Sequence, residues 1–195
     1  MTLGMKSVIA AVTAVLFALP AHAEAPAYER VLSAATLYIT GDGDYDLAVL
    51  VDNLSDGADL YIYPGIERAK LDAPVKPALV KKNAAWTGAL AGTRPFVEVS
   101  EKGSLLIKSG NEAIGRGRWS QTLTVVYRDK DFLVAGVTRE DRDTLDLKAG
   151  GACELNLLTG KGKRNGKPIE TKFRPVRLAD WSDEKLPKEC VFPVN

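Results

Sequence analysis

Asp42, Asp44 and Asp46 alternate through a turn that also holds Gly41 and Gly43. Carboxylates at that spacing suit a hard cation such as Ca2+, around which several oxygens must converge. Set against an EF-hand loop, however, the sixth position is Leu47 instead of glycine and the twelfth is Asn53 instead of glutamate. Two further stretches are rich in hydrogen-bond donors: Ser109, Asn111, Arg116 and Arg118 in one, Lys161, Lys163, Arg164 and Lys167 in the other. Loops of this kind satisfy a partner's carboxylates when they enter its cleft, and arginine does so bidentately. The plainer readings are that Arg116 and Arg118 pair with Glu112 or Asp143, and that the lysine-rich tip is a solvated hairpin end. Trp86, Trp119 and Trp181 offer either a platform for sugar rings or ordinary packing.

The segment that precedes all of these narrows the chemistry. Lys6 stands before an apolar run from Val8 to Leu19, and Pro20 leads into Ala21-His22-Ala23. This is the pattern of a secretory signal peptide with a small-x-small cleavage site. Residues 1–23 are therefore expected to be removed, leaving 24–195 as a single periplasmic or secreted domain. The run is short for a membrane span, and no later stretch approaches the roughly 20 apolar residues that a span needs. His22 is the only histidine, so the mature chain has no imidazole for Ser-His-Asp or Cys-His catalysis or for histidine-ligated zinc. Lys6 is the only charged residue removed, which leaves 25 basic and 25 acidic residues and a net charge of zero. A neutral chain has no general electrostatic reason to bind nucleic acid or anionic membrane. Cys153 and Cys190 are the only cysteines, and in an oxidising compartment they are expected to form a disulfide that fastens the tail.

The elements that must position these residues read as strands. In the stretch from Trp119 to Arg128, Trp119, Leu123, Val125 and Tyr127 share one side, and Ser120, Thr122, Thr124 and Arg128 share the other. Phe132 to Thr138 is the return arm, and Cys153 to Thr159 a third arm after a polar loop that starts at Glu140. Upstream, strands are expected at Ala34 to Ile39, Leu47 to Val51 and in ADLYIY, then an edge strand at Ala78 to Lys81 and a hairpin from Phe96 to Lys108. Ala84 to Pro95 is ambiguous between helix and loop. Lys161 to Lys167 is the tip of a further hairpin, marked by Asn165-Gly166, and the tail carries a helical turn capped by Ser182. The fold class is all-β, an antiparallel meander of about nine or ten short strands, arranged as a sandwich or as an incomplete propeller.

TGDGDYDLAVLV followed by ADLYIYPG resembles the FG-GAP or integrin-type propeller repeat. Gly41, Asp42, Gly43, Asp46 and Leu47 match its loop, while Tyr38 and Thr40 occupy positions where the family supplies oxygen ligands. The resemblance implies a calcium-holding loop at the start of a strand. Gly115 to Gly160 is similar in pattern to secreted bacterial proteins, some of them akin to periplasmic lysozyme inhibitors built on incomplete propellers. This likeness implies a non-enzymatic binding module with a protein or glycan partner at the cell envelope, an inhibitor of a cell-wall hydrolase acting by loop insertion. Two alternatives stand beside it. One is a calcium-dependent adhesion or glycan-binding module. The other is a carboxylate-based glycosidase.

Overall fold

The structure is a computed structural model that describes residues 30–65 and 75–192. The expected signal peptide lies outside the described residues. Twelve strands form two antiparallel sheets. The first contains β1 (Val31–Leu37), β2 (Asp46–Asp52), β3 (Gly57–Tyr63) and β4 (Leu79–Trp86), side by side in chain order. The second contains β5 (Phe96–Val99), β6 (Leu105–Asn111), β7 (Gly117–Arg128), β8 (Asp131–Asp143), β9 (Gly150–Asn156), β10 (Lys161–Arg164) and β11 (Lys167–Glu170), again in chain order. A short β12 (Val176–Arg177) pairs with β8. Among the described residues no helix is long and apolar enough to cross a membrane.

Period-two burial explains the layering. Ala48 and Leu50 of β2 with Leu60 and Ile62 of β3 turn to the same core as Leu105 and Ile107 of β6, Leu123 and Val125 of β7, and Val134 and Val137 of β8. Each fully buried Leu or Ile contributes about 1.5 to 3 kcal/mol. The two sheets also meet at an edge. Val97 N–H of β5 donates to the Ser33 hydroxyl of β1 (3.1 Å), and that hydroxyl donates back to Val97 O (3.3 Å). Opposite β7, Thr124 pairs with Gly136 and Val125 with Val134, so Ala135 is an extra residue on β8. At this bulge β8 changes its outer neighbour from β9 to β12.

Several expected boundaries change. β8 runs on to Asp143, so Glu140 to Asp143 belong to a strand and not to a loop. This length is stable because the polar residues on the inner side of β8 are paired. Arg139 donates to both oxygens of Asp141 (2.8 and 2.7 Å), with its guanidinium 4.3 Å over the Trp119 ring. β4 continues through Ala84, Ala85 and Trp86, and the helical reading of that stretch fails. Lys161 to Lys167 is not a loop tip but two strands, β10 and β11, joined only by Asn165 (φ 50°) and Gly166 (φ 76°). Both residues have positive φ, as the tightest hairpin turn requires.

The tail forms three short 3-10 turns at Leu178–Asp180, Asp183–Lys185 and Lys188–Cys190. The second falls where the helical turn is expected, but the Ser182 side chain makes no capping bond. Leu178, Trp181, Cys190 and Phe192 are buried, and the Cys153–Cys190 disulfide joins the tail to β9. Gln121 Nε2 donates to Asp183 Oδ1 (2.8 Å) and fixes the tail to β7. Gly151 has no room for a side chain, since a Cβ there would run into the Phe192 ring and Asn165 Oδ1.

Candidate binding face

A meander of hairpins sends alternate connections to opposite ends. One end therefore collects the β2–β3 turn (53–56), the β4–β5 loop (87–95), the β6–β7 loop (112–116), the β8–β9 loop (144–149) and the Asn165-Gly166 turn. Backbone bonds tie them together: Thr87 N–H to Asp56 O (3.3 Å), Glu112 N–H to Gly92 O (3.2 Å), Thr144 N–H to Arg116 O (3.0 Å) and Asn165 N–H to Ala152 O (2.7 Å). Along the larger sheet, successive loops stand two strands, about 10 Å, apart. The two donor-rich stretches thus reach the same end of the molecule.

The tips at this end expose apolar side chains. Leu54 is 73% exposed, Leu90 51%, Ile114 42%, Leu145 78% and Leu147 92%. Nothing in the sequence reading singles these residues out, because an isolated aliphatic in a loop has no periodicity to mark it. Within the loops themselves basic and acidic residues balance, Arg94, Arg116 and Lys148 against Asp56, Glu112 and Asp146.

The individual donors have other duties. Ser109 lies within β6, opposite Gln121. Asn111 shapes its own loop by donating to Ile114 O (2.7 Å) and Gly117 O (3.1 Å) and accepting from Ile114 N–H (2.8 Å). Arg116 pairs with Asp143 through Nε (3.0 Å) and Nη2 (2.7 Å), and Asp143 also accepts from Leu145 N–H (2.8 Å) and Asp146 N–H (3.2 Å). One buried carboxylate therefore holds two adjacent loops. Arg118 is half-buried, with Nη1 shut away from solvent and without a hydrogen-bond partner among the described residues. Lys161, Lys163 and Lys167 are exposed on β10 and β11. Arg164 is turned away from the tip: it donates to Glu189 O and to Val191 O (3.2 Å) and stacks 4.2 Å over Phe192. The expected basic finger is thus a paired ribbon, and Arg164 belongs to the tail.

Asp42, Asp44 and Asp46 lie at the opposite end and do not form a ligand set. Asp46 is fully buried, and its oxygens accept from Ile39 N–H (2.8 Å), Thr40 N–H (2.9 Å), Gly65 N–H (3.1 Å) and the Thr40 hydroxyl (3.0 Å). Asp42 is exposed and turned to Asp44 N–H (3.1 Å). Among the described residues no group of three His, Cys, Asp or Glu side chains is placed to hold a metal ion. The loop expected to hold calcium is a hydrogen-bonded turn organised by the Asp46 carboxylate. Tyr38 stacks on Tyr45 with centroids 3.8 Å apart. The neighbouring Tyr45 hydroxyl pushes the Tyr38 phenol up to about 12.

A concavity of roughly 530 Å³ lies on the outer face of β7, β8 and β9 and contains one carboxylate, Glu154. A second cleft, roughly 500 Å³, separates β4 from the tail and is lined by Asp56, Lys81, Asn83, Trp86, Trp181 and Glu184, with the Ser55 and Ser182 side chains nearby. Burial, reinforced by the charge of Lys185, lowers the basicity of Lys81 there. Beside this cleft β4 bulges at Asn83 (φ 50°) around the buried Asp59. Asp59 accepts from Lys82 Nζ (2.6 Å), Asn83 N–H (3.0 Å) and Asn53 Nδ2 (3.1 Å).

Two of these carboxylates make stability pH-dependent. Burial acts to raise the pKa of Asp59, but the bonds from Lys82, Asn83 and Asn53 outweigh it and hold the group below the ordinary aspartate value. The Arg116 guanidinium, with Leu145 N–H, does the same for Asp143. A depressed folded pKa adds stability that is complete above the unfolded value, about 3.9, and is lost as pH falls through the folded value. The urea midpoint is expected to hold from about pH 7 to 5 and to fall below about pH 4, less steeply in Asp143→Asn. An unchanged slope in that variant would remove Asp143 from the account.

No family model, curated protein or solved structure matches the chain.

Proposed function

We propose that the protein is a non-enzymatic binding module of the cell envelope that seats its loop end in a concave partner, as an inhibitor of a cell-wall hydrolase of the lysozyme type. The observation that carries this reading is the convergence at one end of five connections, four of them with exposed aliphatic side chains. A glycosidase cleft has paired carboxylates on its floor and apolar walls that pack against sugar rings. Loops bearing leucine and arginine fit such a cleft, and a rigid set loses less entropy on docking. The Arg116–Asp143 pair supplies that rigidity. The alternative of a carboxylate glycosidase calls for two acids facing one cleft about 5 to 10 Å apart; the concavity on the outer face of β7, β8 and β9 presents Glu154 alone, while the cleft between β4 and the tail is lined by Asp56, Asp183 and Glu184.

Mature protein mixed with c-type, g-type and i-type lysozymes is expected to slow wall lysis by at least one of them. Leu145→Asp combined with Leu147→Asp is expected to weaken inhibition at least about tenfold, since central aliphatic anchors dominate an interface. Both side chains are mostly exposed, so the fold should survive the change. Unchanged lysis by all three enzymes at micromolar excess of protein would end this reading.

A further inference from the structure

We infer that the cleft between β4 and the tail binds a neutral saccharide, stacked on Trp86 and held by Asp56 and Glu184. Three segments far apart in sequence build this cleft: the β2–β3 turn, the end of β4, and the second 3-10 turn of the tail. Its volume, roughly 500 Å³, is in the range of small-molecule sites. Trp86 is held in place before any ligand arrives. Its ring packs against Trp119 with centroids 5.6 Å apart, and Trp119 is covered on its own face by the Arg139 guanidinium. A fixed, half-buried indole offers a flat apolar face at little entropic cost.

The charges around it select the ligand. Lys81 and Lys82 are on the β4 wall, Lys82 paired with Asp59, while Asp56 stands on the turn and Asp183, bound by Gln121, and Glu184 stand on the tail. The unpaired acids that face the ligand are Asp56 and Glu184: among the described residues no side chain pairs with either carboxylate. An anionic ligand would meet the acids, and a cationic one Lys81. A neutral ligand whose hydroxyls both donate and accept satisfies both walls, since carboxylates take only donors and an ammonium only acceptors. A sugar ring combines such hydroxyls with an apolar C–H face for the indole.

The test is a tryptophan-fluorescence titration of the mature chain with chitotetraose, cellotetraose and maltotetraose. At least one is expected to give a saturable change with a Kd between about 10 µM and about 1 mM. Trp86→Ala and Glu184→Gln are each expected to weaken binding about tenfold, a step of about 1.4 kcal/mol. Glu184 is exposed, so E184Q keeps the test valid should the tryptophan variant unfold. No saturable change with any of the three sugars up to about 10 mM, or native affinity in E184Q, would overturn the assignment. Neither residue is among the loop-tip aliphatics, so lysozyme inhibition by E184Q should match the native protein, and the two readings stand or fall separately.

Discussion

Replacing Asp46 by alanine is expected to lower the free energy of unfolding by about 3 to 5 kcal/mol, among the largest effects of any single polar residue in the chain. The carboxylate is fully buried and accepts from three backbone N–H groups and one hydroxyl. Its loss strands all four donors. Each unsatisfied group costs about 1 to 3 kcal/mol, and water entering the partly open loop recovers a share of that. Asp46→Asn should fall between the two, because the amide oxygen still accepts while its NH2 group faces donors. Since every bond Asp46 makes is to a protein donor, millimolar calcium is expected to leave the thermal midpoint of the native protein where chelator leaves it. A midpoint raised by several degrees would mean a ligand bound to the folded state and would overturn the account of this loop.

Serine at Cys153 or Cys190 is expected to cost about 2 to 4 kcal/mol, the value for closing a loop of this length. The bridge spans a sequence separation of 37. It is not the tail's only attachment: Leu178 and Trp181 are buried, Asp183 is bound by Gln121, and Arg164 holds two tail carbonyls. The variant tail should therefore stay docked most of the time and open locally, so limited proteolysis should cut it well before the sheets. Adding Arg164→Ala should speed that cleavage further. Reaction of intact native protein with two equivalents of a thiol reagent, without denaturant, would show the bridge to be absent.

Much of this architecture is legible in the chain because it depends on neighbours in sequence. Alternation in WSQTLTVVYR places Leu123 and Val125 on the core face, where they are buried, because side chains of a strand alternate between its two faces. Asn165-Gly166 marks a turn because few other dipeptides tolerate two positive φ angles in succession. The pairing of two cysteines is a matter of count and compartment. The acidic turn at Asp42 is likewise visible, but its carboxylates look alike in sequence, and only packing separates the buried Asp46 from the half-buried Asp44 and the exposed Asp42.

What the sequence determined by itself is the all-β class, most strand positions, the disulfide and the loss of imidazole chemistry from the expected mature chain. What tertiary structure decided is every relation between distant segments. The far half of β8 reads as a loop because Glu140, Asp141, Arg142 and Asp143 are charged, and it is held as a strand where Arg139 meets Asp141 and Gln121 and where Arg116 meets Asp143. Which loops share an end depends on the number of strands between them, so reading β10 and β11 as a single tip hides the convergence. The Trp86 cleft draws on residues 55–57, 81–86 and 181–184, brought together by the pairing of β3 with β4 and by the fastened tail. No local pattern records those contacts, because burial and pairing are properties of the whole folded chain.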